Sequence, residues 1–106
     1  MTDAAAILKK LPVAFQPDAA GDADCTVQFN ISTPMHIVIK DGACVTRDGT
    51  ADAADVAITM EDEDLVSLLK GELNGMTAFM TGKLQLEGDL MLAQRMFGFF
   101  DSSKLG

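Results

Sequence analysis

The chain has 106 residues, the length of a single domain with a single core. Sixteen acidic residues against eight basic ones give a net charge of −8, which excludes the basic footprint of nucleic-acid binding and lasting adsorption to anionic membranes. Apolar residues make up 48%, far from a disordered composition, yet no apolar run approaches the roughly 18 residues of a spanning helix.

In chain order, the N-terminus MTDAAAILKK places acid before base and has no cleavable signal architecture. Residues from Asp3 to about Phe15 read as a short helix capped by Asp3 or Thr2. Ile7, Leu8, Leu11 and Phe15 share one face of it, and Pro12 bends its end. Gln16 to Ala23 is rich in Asp, Ala, Pro and Gly and reads as loop. Cys25, Val27, Phe29 and Ile31 alternate with Thr26, Gln28 and Asn30, the pattern of a half-buried strand. After the turn Ser32-Thr33-Pro34, Met35, Ile37 and Ile39 form one face of a second strand. Asp41-Gly42 is a strong hairpin signal leading to a third strand around Ala43 to Arg47.

A longer Asp/Ala/Gly connection then precedes a fourth strand marked by Val56, Ile58 and Met60. Glu61-Asp62-Glu63-Asp64 puts four acids where a helix N-terminus favours them, and this role accounts for the run without metal binding. Leu65, Leu68 and Leu69 give that helix its buried stripe, and Lys70-Gly71 stops it. Asn74 caps a second short helix carrying Met76, Phe79 and Met80, closed near Gly82. Leu84 and Leu86 alternate with Lys83, Gln85 and Glu87 in a fifth strand. Gly88-Asp89 breaks and caps, and the last helix carries Leu90, Met91, Leu92, Ala93, Met96, Phe97, Phe99 and Phe100, apolar on nearly every side. The order α-β-β-β-β-α-α-β-α predicts one α+β domain over residues 1–106, with helices on one face of the sheet.

Several chemistries find no support. Cys25 and Cys44 lack C-x-x-C spacing; two reduced buried thiols are the ordinary reading for a cytosolic protein, with a disulfide between neighbouring strands left open. Zinc lacks ligands because His36 is the single histidine, and that residue lies on the polar side of its strand, opposite Met35 and Ile37. No nucleophile pairs with it, and no Gly-rich phosphate loop is present, so neither catalysis nor a cofactor is expected. Ser103-Lys104-Leu105 spells the peroxisomal address, but Gly106 follows and that signal is read only at the extreme end. Seven Met and six Phe with no Trp or Tyr read, from composition alone, first as gap-fillers in a small core and second as walls that adapt to varied ligands.

The ordered series LPVAFQPDAA (Leu11 to Ala20), Gln28-Phe29, HIVIKDG (His36 to Gly42), ADVAITM (Ala54 to Met60), LKGELN (Leu69 to Asn74), AFMTGKL (Ala78 to Leu84) and EGDL (Glu87 to Leu90) resembles the sterol carrier protein type-2 domain family over nearly the whole chain. The resemblance implies a five-stranded, mostly antiparallel sheet covered by helices, with a hydrophobic tunnel near the C-terminal helix. It implies binding and transfer of fatty acid, acyl-CoA, sterol-like or isoprenoid lipid without catalysis. By matching positions, it puts ligand contacts on Leu65, Leu68, Leu69, Leu73, Met76, Phe79, Met80, Leu84, Leu86, Met91, Met96, Phe97 and Phe100. The expected protein is a cytoplasmic monomer whose partner is a hydrophobic small molecule, with transient membrane contact and a lipid-metabolising enzyme as compatible partners. The segment from Gly88 to Gly106 is expected to move for ligand release. The competing reading is an interaction module that presents lipid to a partner enzyme or docks on it through the apolar last helix.

Overall fold

The computed structural model describes residues 4–105; capping by Thr2 or Asp3 falls outside them. The chain opens with α1 (Ala4–Lys9) and α2 (Leu11–Ala14), two helices where one was expected. Pro12 sits in the first turn of α2, where a missing N–H costs nothing, so the proline starts a new helix after the break at Lys10. The stretch read as loop also contains α3 (Pro17–Ala20), again begun by a proline, and ended at Gly21.

The sheet comprises β1 (Cys25–Asn30), β2 (Met35–Lys40), β3 (Ala43–Asp48), β4 (Val56–Thr59) and β5 (Gln85–Gly88), in the order β3-β2-β1-β4-β5. Only the central β1–β4 pair is parallel; the other pairs are antiparallel. Register aligns one apolar layer across the strands: Cys44, then Ile39, Ile37 and Met35, then Cys25, Val27 and Phe29, then Val56 and Ile58, then Leu86. Val27, Phe29, Ile37, Ile39, Val56 and Ile58 are all fully buried. At roughly 1.5–3 kcal/mol per fully buried side chain of this size, the layer dominates the stability of the sheet.

Cys25 and Cys44 both pair across to Ile39, one from each side. They therefore stand two strand spacings apart, about 9.5 Å, beyond the roughly 7 Å a disulfide tolerates. Both are free and buried, so the bridge left open by the sequence does not form.

The helices cover this layer on one side. Ile7 and Leu8 of α1, Leu11 of α2, and Leu65, Leu68 and Leu69 of α4 (Asp62–Leu69) are buried, as are Ala93 and Met96 of α6 (Leu90–Met96). Thr46 on β3 donates its hydroxyl to the Leu8 carbonyl at 2.7 Å, pinning α1 to the sheet. The opposite face is not wholly solvated. Gln28 is 4% exposed, because the β3–β4 connection folds over it: Ala51 N–H donates to its Oε1 at 2.8 Å, while its Nε2 donates to the Met35 carbonyl at 3.2 Å. His36, on the same face, is half-buried, with Nδ1 3.0 Å from the Gly49 carbonyl, which fixes the proton on that nitrogen.

The acidic run at the start of α4 has a further use. Asp62 accepts from the Ser32 N–H at 2.9 Å and from the Ser32 hydroxyl, tying α4 to the β1–β2 turn.

Candidate functional site

The region from α4 to α6 carries five of the seven exposed large apolar side chains among the described residues. Between α4 and β5 lies α5 (Gly75–Met80), a helix of six residues. Asn74 starts it by accepting the N–H groups of Met76 and Thr77 at 2.8 and 3.2 Å. Gly82, at φ +80°, ends it and returns the chain to β5. Only Ala78 of α5 is buried. Met76, Phe79 and Met80 are 62, 48 and 77% exposed.

Beneath this helix is an apolar recess of about 290 Å³. Its walls are Gly75, Met76 and Phe79 from α5, Leu84 and Leu86 from the β5 arm, and Leu90, Gln94 and Phe97 from α6 and the turn after it. The three α6-side residues follow i, i+4, i+7 spacing, so they form one helical face turned to the recess. Ala93 and Met96 lie on the adjacent face and are fully buried in the core. A smaller recess of about 160 Å³ lies between Leu68, Leu69, Gly71, Phe97 and Phe100. Phe97 lines both and stands between them. The larger recess has a single polar side chain, the Gln94 amide, and no charged one among the described residues. It can solvate an apolar chain but offers no counter-charge to an anion within its walls.

Of the thirteen positions expected to touch ligand, Met76, Phe79, Leu84, Leu86 and Phe97 meet in the larger recess. Leu68, Leu69 and Phe100 join Phe97 in the smaller one. Leu65 and Met96 are fully buried and line neither, and Leu73 packs half-buried against the core. Met80 and Met91 are 77 and 75% exposed, outside both recesses. Sequence reasoning missed Gly71 in the smaller recess and Gly75, Leu90 and Gln94 in the larger one. The signal for Leu90 and Gln94 was the helical spacing back from Phe97.

The last helix is shorter than its apolar run. It ends at Met96, and a tight 3-10 turn, Phe97–Phe99, redirects the chain. Phe100 then pairs with Phe15, ring centroids 5.8 Å apart at 54°. Gln16 N–H donates to the Phe99 carbonyl at 2.7 Å, and Asp101 N–H to the Ala14 carbonyl at 2.8 Å. The other end of the segment is held by Asp89, whose N–H donates to the Asp55 carbonyl at 2.9 Å and whose carboxylate accepts from Leu92 N–H at 3.0 Å. Leu105 is fully buried. The C-terminal cover is thus anchored at both ends, and α5 is the less buried wall of the larger recess.

The thiols take no part in this site. Burial pushes the Cys44 thiol up to about 12, with the nearby Cys25 adding to the effect, and burial with the Asp55 carboxylate raises Cys25. Neither is a ready nucleophile.

A sheet with one buried face and an uncharged recess walled by Met, Leu and Phe is the build of a domain that accommodates an apolar molecule. Residues 14–101 match the model of the SCP-2 sterol transfer family, and the chain belongs to that family, whose general business is lipid binding and transfer. Peroxisomal multifunctional enzyme A of Dictyostelium discoideum is 42% identical over 50 residues, 47% of this chain. The match spans 11% of that relative's length. Part of the inverting sec-alkylsulfatase of a Pseudomonas species superposes with a TM-score of 0.79 at 23% identity, covering 86% of this chain and 15% of the sulfatase. The palmitated sterol-carrier-like protein SCP2L2 of Aedes aegypti superposes with a TM-score of 0.71 at 22% identity, covering 92% of this chain and 93% of that one.

Proposed function

We propose that this protein is a non-enzymatic, cytoplasmic, monomeric carrier that holds one lipid chain in the recess under α5 and transfers it. The observation that carries this reading is the uncharged recess of about 290 Å³ walled by Met76, Phe79, Leu84, Leu86, Leu90 and Phe97. That size sits at the lower end of roughly 300–1,000 Å³ for small-molecule sites, so a flexible single chain suits it. A swing of the Phe97 ring would join the smaller recess to it as a continuous tunnel. The walls supply binding by burying apolar ligand surface, at roughly 25 cal/mol per Å² before ordering costs are subtracted. A charged headgroup, carboxylate or CoA, would stay at the mouth. The palmitated state of the Aedes protein supports the acyl chain as one occupant.

A second reading is favoured by the sulfatase, in which a domain of this fold forms 15% of an enzyme chain. In that reading the protein presents its lipid to a separate lipid-metabolising enzyme.

Native mass spectrometry of freshly purified protein, followed by organic extraction, tests the carrier. A co-purified lipid at near-unit stoichiometry, or one-to-one uptake of added fatty acid or sterol, is expected. Empty protein that takes up neither would overturn it.

A further inference from the structure

Seven large apolar side chains are exposed among the described residues, and five of them, Met76, Phe79, Met80, Leu90 and Met91, sit on α5 and α6. Met76, Phe79 and Leu90 also wall the larger recess, so the exposed patch is continuous with its mouth. Charge is unevenly divided along the chain. Residues 1–64 hold twelve acids and four bases, the whole of the −8, whereas residues 65–106 hold four of each. Between Leu73 and Leu86 the one charged residue is Lys83.

We propose that the α5–α6 rim is the face with which this protein seats on an uncharged, zwitterionic lipid bilayer to load and unload the recess, an inference that rests on the lipid-binding reading above. The occupant follows from the continuity of rim and recess. An apolar chain leaving over Met76, Phe79 and Leu90 passes directly to whatever covers those side chains. Seated on a bilayer, that passage stays apolar throughout; seated on a second copy, it is sealed. Unbranched methionines suit insertion among disordered acyl chains, since their flexible, polarisable side chains adapt to varied surroundings. The net charge of −8 makes anionic headgroups repel the molecule as a whole, so binding to anionic bilayers is weaker and strengthened by salt.

The test uses Met80→Asp combined with Met91→Asp, two side chains more than 70% exposed and outside both recesses, whose replacement spares the core. Three readouts are taken: flotation with phosphatidylcholine vesicles, transfer of a fluorescent lipid between such vesicles, and uptake of dansyl-undecanoic acid from vesicle-free solution. The wild-type protein floats with phosphatidylcholine and less with phosphatidylglycerol at low salt. The double variant loses flotation and transfers roughly tenfold more slowly or worse, because carboxylates replace inserted apolar surface, while uptake from solution is unchanged. Wild-type transfer and flotation rates in the variant would overturn the proposal. So would a wild-type dimer in solution that the two substitutions split, since a second copy then covers the face. Flotation without probe uptake would sink the carrier reading and leave the docking face standing.

Discussion

Replacing Gly88 by alanine should be among the most damaging small changes available to this fold. Gly88 closes β5 opposite Val56 and has φ +98°. A Cβ there would fall inside the contact radius of the Asp55 carbonyl oxygen and 3.1 Å from the Val56 Cα. Both neighbours are backbone, and that same carbonyl accepts the Asp89 N–H that launches α6. The positive φ costs an alanine about 1–2 kcal/mol, and prising β5 from β4 adds about 1–3 kcal/mol. A total near 3 kcal/mol is a large part of the roughly 5–15 kcal/mol that holds a domain together. With unfolding entropy of about 2.1 cal/mol/K per residue, each kcal/mol shifts Tm of a chain this long by about 4–5 °C, so Gly88→Ala should lower it by about 10–15 °C. Gly82→Ala is the control. Gly82 also has a positive φ, +80°, but its Cβ would meet nothing within 4 Å, so about 1–2 kcal/mol is its whole cost. Circular-dichroism melts of the two variants separate conformational strain from collision. Equal losses would refute the close approach of β5 to the Asp55 carbonyl.

Phe97→Ala removes the wall shared by both recesses and should weaken lipid affinity by about 1–2 kcal/mol, roughly 5- to 30-fold in a fluorescent fatty-acid titration; Phe97→Asp should abolish uptake while the far-ultraviolet spectrum persists. Asn74→Ala deletes the cap of α5 and should cost about 1 kcal/mol, with faster amide exchange across residues 75–80 than in α4. Below pH 9, Cys44 is protonated in both folded and unfolded chains. Between its unfolded value of 9.0 and its folded value of about 12 the unfolded state alone loses the proton, so stability measured by urea melts should fall as pH rises through that interval. Both thiols should resist a disulfide reagent at pH 8 until denaturant is added.

The strands were legible because each has one buried face: alternation from Cys25 and from Met35, with the Asp41-Gly42 turn between β2 and β3, is enough to place three of them. Gln28 shows where alternation stops informing. It occupies a polar-face position yet is buried, because a non-adjacent loop supplies its partner at Ala51. The recess was half legible. The family resemblance singled out Met76, Phe79, Leu84, Leu86 and Phe97, whereas Leu65 and Met96, chemically the same and named with them, fell in the core. Apolarity marks a side chain as needing cover. Which element supplies that cover depends on the crossing of α5 over β5 and α6, which no local pattern encodes. The break of the last helix at Met96 belongs to the same class: the apolar run continues, but pairing of Phe100 with Phe15 pulls the chain out of the helix.

The central claim is that a lipid chain lies under α5, against β5 and the Leu90–Gln94–Phe97 face of α6. The most direct measurement is an isotope-filtered NOE experiment on protein labelled at methionine and leucine methyls, saturated with unlabelled palmitate. The account predicts contacts from the chain methylenes to the methyls of Met76, Leu84 and Leu86, and none to Met35, which is buried on β2 outside both recesses. Contacts confined to Met80 and Met91 on the surface, or reaching Met35 in preference to Met76, would contradict it.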